Sequence, residues 1–118
     1  MATAESKNVG KPDETRKFER GRMELLNIGG GIVGKATFEP GWHWSEHVKP
    51  IAKTELCEAP HFMYQISGRM RVKMADGQEF EMGPGDVAVV PSGHDAWVVG
   101  DEAVVVIDWQ GATNYAKS

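Results

Sequence analysis

The chain has 118 residues, 41% of them hydrophobic and 25% charged, enough for one soluble domain with its own core. A formal net charge of −4 with no basic stripe argues against a general nucleic-acid binder, and no apolar run approaches the roughly 20 residues of a membrane helix. The lone Cys57 cannot close an internal disulfide, and the polar start lacks the apolar segment of a secretory signal, so a reducing cytoplasm is the expected setting.

In chain order, residues 1–20 are charged and poor in apolar side chains and are predicted to form a mobile arm, with one β-domain over residues 21–118. "MELLNI" and "IVGKATFEP" are predicted strands on either side of "GGG". Beyond residue 60 the pattern sharpens: Met70, Val72 and Met74 alternate with Arg69, Arg71 and Lys73 at the period of a half-buried strand. "ADG" supplies a hairpin turn into "QEFEM", "GPGD" and "PSG" bracket "VAVV", and "AWVVG" and "AVVVIDW" follow. Eight or nine short strands separated by Gly and Pro turns, without a long helix, predict a sandwich or barrel.

Within "EPGWHWSEHVKP", the core "HWSEH" fits H-x-x-E-H, which on a helix is the zinc unit of a class of metalloproteases. Pro40 and Gly41 before it and Pro50 after it leave little room for such a helix. The expectation is a strand with His43, Ser45, His47 and Lys49 on one face, its two histidines too far apart to share an ion.

Gly41 precedes His47 by five residues and a separate gap, Gly85-x5-Pro91-x-Gly93, precedes His94; His61 lies seven positions before Gly68. Together these stretches resemble the two motifs of the cupin superfamily, over roughly residues 36–110. "ATFEPGWHWSEHVKP" and "PSGHDAWVVGD" are similar to small single-domain bacterial cupins. The resemblance implies a jelly-roll β-barrel, commonly a homodimer, with a metal or small-molecule pocket at one end.

Set against the family pattern, His47 keeps the first ligand position, Lys49 stands at the second, His61 replaces the glutamate and Ala96 replaces the last histidine. His94 projects to the same side as Ala96 on an extended backbone. The expected ligand set is therefore His47, His61 and His94, suited to zinc, iron, nickel, copper or manganese rather than magnesium or calcium. His43, Lys49, Met63 and Gln65 are the expected substrate-binding residues, and Trp42, Trp44 and Trp97 belong to the core, an interface or the pocket wall. Cys57 and Glu55, in the loop before His61, are either further ligands or a buried thiol and a solvated carboxylate. No residue is assigned to catalysis. Three readings stay open: a metal-dependent enzyme of oxygenase, isomerase or lyase type acting on a small organic molecule, a non-catalytic binding or sensor module, and a structural dimer.

Overall fold

The computed structural model describes residues 3–111. Among the described residues, nine strands form two antiparallel sheets. The larger contains β1 (Glu14–Phe18), β2 (Gly21–Ile28), β3 (Gly31–Phe38), β4 (His61–Ser67), β7 (Val87–Val90) and β9 (Val104–Asp108), in the order β1-β2-β3-β9-β4-β7. The smaller has β6 (Glu79–Met82), β5 (Arg69–Met74) and β8 (His94–Val99), in the order β6-β5-β8. One apolar core joins the two, with Met23, Leu25, Ala36, Met63 and Val106 from the large sheet meeting Met70, Val72, Met82 and Val98 from the small one. The alternating pattern predicted a sandwich or barrel, and the arrangement is the jelly-roll that the resemblance implies.

The two-residue period decides which side chains reach that core. Met70 and Val72 on β5, Ala96 and Val98 on β8, and Val104 and Val106 on β9 are all buried, while their neighbours in sequence are not. The same alternation carries three polar groups inward at strand ends. His61 begins β4, His94 begins β8 and Asp108 ends β9, and each is buried. Hydrophobic periodicity thus places a polar cluster at one end of an apolar interior.

The large sheet begins earlier than expected. Residues 14–18, which fall within the predicted arm, form β1 and pair antiparallel with β2 from Glu14↔Leu25 to Phe18↔Gly21. Phe18 packs against the core beside Phe38, with ring centroids 6.1 Å apart. Phe18 is the one apolar residue of Glu14–Phe18 and it packs inward, a contribution that charge content alone hides.

The segment "WSEHVKPIA" is helical, not extended, which overturns the predicted strand. It forms two single turns, α1 (Trp44–His47) and α2 (Lys49–Ala52). One turn is marginal on its own, and three tertiary features hold these in place. Trp44 and Val48, four apart, are both buried, and covering an indole removes roughly 200 Å² from water, worth on the order of 5 kcal/mol. Asp95 on β8 caps α1 from across the fold, its Oδ1 accepting the Ser45 N–H at 3.1 Å while Oδ2 accepts from His43 Nε2 at 2.8 Å. Lys53 ends α2 in the left-handed conformation at φ 61°, and Pro50 sits in the first turn of α2, where it costs no hydrogen bond.

One outer face carries the exposed apolar residues. Phe62, Tyr64 and Ile66 on β4, Val87 and Val89 on the edge strand β7, and Trp109 just after β9 are the large hydrophobic residues left exposed among the described residues. Phe62 lies opposite Val89 and Tyr64 opposite Val87, so the patch is continuous across the two strands. Among the described residues no helix is long and apolar enough to cross a membrane.

Candidate metal centre

His61 is oriented by the strand beside it. Its Nδ1–H donates to Asp108 Oδ2 at 2.5 Å, since a carboxylate can only accept, and this leaves Nε2, 3.8 Å from the Cys57 sulfur, as the ring's coordinating atom. Asp108 is held in turn: its Oδ1 accepts backbone N–H groups of Phe62, Gln110 and Gly111 at 3.3, 3.0 and 3.2 Å. Burial alone would raise the Asp108 carboxyl, but the hydrogen bond and charge of His61 and the backbone donors hold it below its ordinary value. Gly111 is required here for space. A Cβ at that position would fall 2.2 Å from the Pro60 carbonyl oxygen and 2.7 Å from His61 Nδ1.

His94 is fixed by the turn that precedes it. Its Nδ1–H donates to the Pro91 carbonyl at 2.9 Å, so here too Nε2 remains available. Burial first, and then the neighbouring His61, lower its pKa to about 4, which keeps the ring neutral and able to ligate at neutral pH. The two rings meet edge to face with centroids 5.1 Å apart.

Cys57 completes the group. The loop before β4 pairs with β8 through a short bridge, Cys57 N–H donating to the His94 carbonyl and Gly93 N–H to the Cys57 carbonyl, both at 2.8 Å. This backbone pairing sets the thiol 3.8 Å from His61 Nε2. Burial first, and then the carboxylates of Glu58, Asp108 and Asp95, push its pKa up to about 12. The thiol therefore keeps its proton until a cation displaces it.

One donor atom from each of Cys57, His61 and His94 lies within 4.8 Å of the others, and all three residues are buried. Tetrahedral zinc bound to sulfur at about 2.3 Å and nitrogen at about 2.0–2.1 Å would bring such atoms to roughly 3.3–3.6 Å of one another. The contact between Cys57 and His61 is nearly there already, and a modest contraction would complete the set. A thiol, two imidazoles with committed Nδ1 atoms and a carboxylate behind one of them suit a borderline-soft cation.

Behind the centre is a cavity of about 30 Å³, room for about two waters. His61, His94 and Asp108 line one end, and Met23, Phe38, Trp42, Met63, Val72 and Val106 are among the apolar residues of its wall. Trp42 stacks on Phe38 with ring centroids 4.0 Å apart. Its Nε1 is buried without a hydrogen-bond partner, a state that costs about 1–3 kcal/mol.

Of the expected ligands, the structure brings together His61 and His94 and leaves His47 apart. His47 lies on α1, where its Nδ1 accepts the His43 N–H at 3.0 Å and its Nε2 is 3.4 Å from Glu19 Oε2. The helical turn that replaced the predicted strand is what carries it away, and Cys57 stands third instead. Of the expected substrate-binding residues, Met63 lines the cavity. Gln65 is fully buried but acts on the backbone, its amide donating to the Gly68 and Met82 carbonyls at 2.7 and 3.1 Å. His43 bonds Asp95, and Lys49 pairs with Glu55 at 2.9 Å beside a shallow surface depression. Glu55 is thus a surface partner of Lys49, and Trp97 packs against His43 with ring centroids 5.1 Å apart.

Sequence reasoning missed Asp108 altogether and treated Cys57 as a loop residue with two roles. The available signal for Asp108 was its place in "VVVIDW", where the alternation of Val104 and Val106 carries it inward.

The sequence profile of the cupin domain matches residues 34–110. The chain is a cupin. Solved structures similar to it include an oxalate decarboxylase from Lactobacillus farciminis in a formate complex, 19% identical with a TM-score of 0.63, covering 86% of this chain and 32% of that one. Oxalate decarboxylase from Bacillus subtilis, in a study of its Mn(II) centres, is 25% identical with a TM-score of 0.55, covering 89% of this cupin and 28% of that chain. A protein of unknown function from Rhizobium leguminosarum is 18% identical with a TM-score of 0.67, covering 92% of this cupin and 97% of that chain. This cupin thus spans about a third of the length of the decarboxylases it resembles. No curated protein gives a significant match.

Proposed function

We propose that this cupin binds one divalent transition metal through Cys57, His61 and His94 and presents it to a small molecule in the adjoining cavity. The observation that carries the reading is the buried trio of donor atoms within 4.8 Å of one another, with both imidazole Nδ1 atoms already committed to acceptors. Three protein ligands leave a coordination position open, the arrangement of catalytic rather than structural zinc sites. When bound, the metal would polarise an acceptor group on the small molecule. The chain's own residues orient the donors and keep His94 neutral. A thiolate favours zinc or copper over manganese, nickel and iron being intermediate. A metal-dependent binding module is the second reading, supported by the small cavity of about 30 Å³, and turnover of small carbonyl compounds or organic acids by metal-loaded protein would separate it from the enzyme.

Reconstitution with zinc should load about one ion per chain, measured by elemental analysis after gel filtration. Cys57→Ala should weaken binding at least about 100-fold, since it removes a ligand rather than a supporting partner. Because the thiol titrates at about 12, binding must release its proton, and affinity should rise with pH across neutrality. Protein that retains no zinc, or Cys57→Ala protein that binds as tightly as wild type, would overturn the assignment.

The expected homodimer has a candidate surface. Phe62, Tyr64, Ile66, Val87, Val89 and Trp109 form an uncharged apolar row reaching the edge strand β7, a feature that oligomers commonly cover. A second copy seated there buries the row symmetrically. Sedimentation equilibrium should give twice the chain mass at micromolar concentration, and Val89→Lys should shift it to the monomer by burying two cations. A monomeric wild type sinks this reading.

A further inference from the structure

The cavity beside Cys57, His61 and His94 has a wall without lysine or arginine and with one buried carboxylate, Asp108. A carboxylate ligand entering it would meet the Asp108 carboxylate and neither a lysine nor an arginine. The wall also contains one buried donor with nothing to donate to. Among the described residues, Trp42 Nε1 is the only buried side-chain nitrogen or oxygen of the cavity-lining residues without a hydrogen-bond partner. Buried indole N–H groups ordinarily find an acceptor. Trp42 is held rigidly, stacked on Phe38 at 4.0 Å with its own carbonyl accepting the Val98 N–H at 3.0 Å, so its ring does not turn easily to seek one.

We propose that the cavity selects a small uncharged molecule bearing a hydrogen-bond acceptor oxygen, and that the Trp42 indole N–H is the group that recognises it. A cavity of about 30 Å³ admits about two water-sized groups, so the class is that of a small amide, carbonyl compound or alcohol. The molecule sits with its oxygen toward the indole and its other end toward His61 and His94. The inference rests on the metal reading only for what the ligand meets at that second end; the indole contact stands without it.

Formamide and formate, of nearly equal size and differing in charge, test the claim. In ¹⁵N-labelled protein the four tryptophans give separate indole signals, and the Trp42 signal is assigned by its loss in Trp42→Phe or by elimination using Trp44→Phe, Trp97→Phe and Trp109→Phe. Titration of metal-free and zinc-loaded protein with formamide should move the Trp42 indole proton downfield and saturably in both. Formate should bind at least tenfold more weakly to the metal-free protein. In Trp42→Phe, formamide binding followed at the Met63 methyl should weaken about tenfold or more. An unmoved Trp42 signal, or formate binding as well as formamide in the metal-free protein, overturns the proposal. Failure of zinc to load with the indole response intact removes the metal reading alone, while zinc retention with a silent indole removes this inference alone.

Discussion

His61→Ala should lower the unfolding free energy by about 3–5 kcal/mol, the scale for leaving a buried carboxylate without its side-chain partner. Asp108 is 1% exposed and keeps its three backbone donors, but loses the imidazole that faces its second oxygen. The truncation also leaves a void at the base of β4, which adds to the loss. Adding Asp108→Asn to His61→Ala should recover part of the stability, because a neutral amide tolerates the site better than an unpaired carboxylate. Urea denaturation of the two variants with unchanged m-value is the measurement. A single variant as mild as a surface substitution, or a double variant that is simply the sum of two losses, would show that the pair is not what anchors this end of the barrel.

Acid should destabilise the metal-free protein in two separable stages. The folded His94 pKa of about 4 lies below its ordinary 6.5, so the unfolded chain takes up the proton first as pH falls. Its contribution is complete above pH 6.5 and is lost progressively down to about pH 4, amounting to about 3 kcal/mol at most. Asp108 is depressed below its ordinary 3.8, so its contribution is present above that value and disappears as pH falls through the folded one, at the acid end. His94→Asn should flatten the slope of stability against pH between 6.5 and 4 and leave the more acidic stage in place. An unchanged slope in that variant would mean that another group controls acid unfolding.

The fold was legible because periodicity and turn chemistry agreed. Met70, Val72 and Met74 announced β5, and the Gly and Pro breaks around "VAVV" bounded β7. The helical turns at 44–52 were hidden because their stability is tertiary: it comes from burying Trp44 and Val48 and from Asp95, a residue 50 positions from Ser45 that caps from another strand. His47 entered the expected site through its place in the family pattern, and the helical turn sets it apart from His61 and His94. His61 was legible from the family pattern and His94 from its i, i+2 relation to Ala96; each opens a strand whose alternation turns it to the core, and their rings lie 5.1 Å apart. Cys57 lacked any period to orient it; its position follows from a two-residue bridge to His94 that links distant parts of the chain. Trp42 read as core, interface or pocket wall alike, and nothing in its sequence neighbours discloses that its N–H has no acceptor among the protein atoms.

The strand order has a consequence for how the molecule is made. β9, the last of the described strands, lies between β3 and β4 at the middle of the six-stranded sheet. Until residues 104–108 have left the ribosome, the hairpins of β1–β3 and the β4–β7 pair cannot join, and each displays an open edge. The same late segment delivers Asp108, so His61 is set in its final orientation at the closing step. Chains interrupted before residue 104 would present two unjoined half-sheets with bare edges, the form of a β-protein most prone to pair with its neighbours.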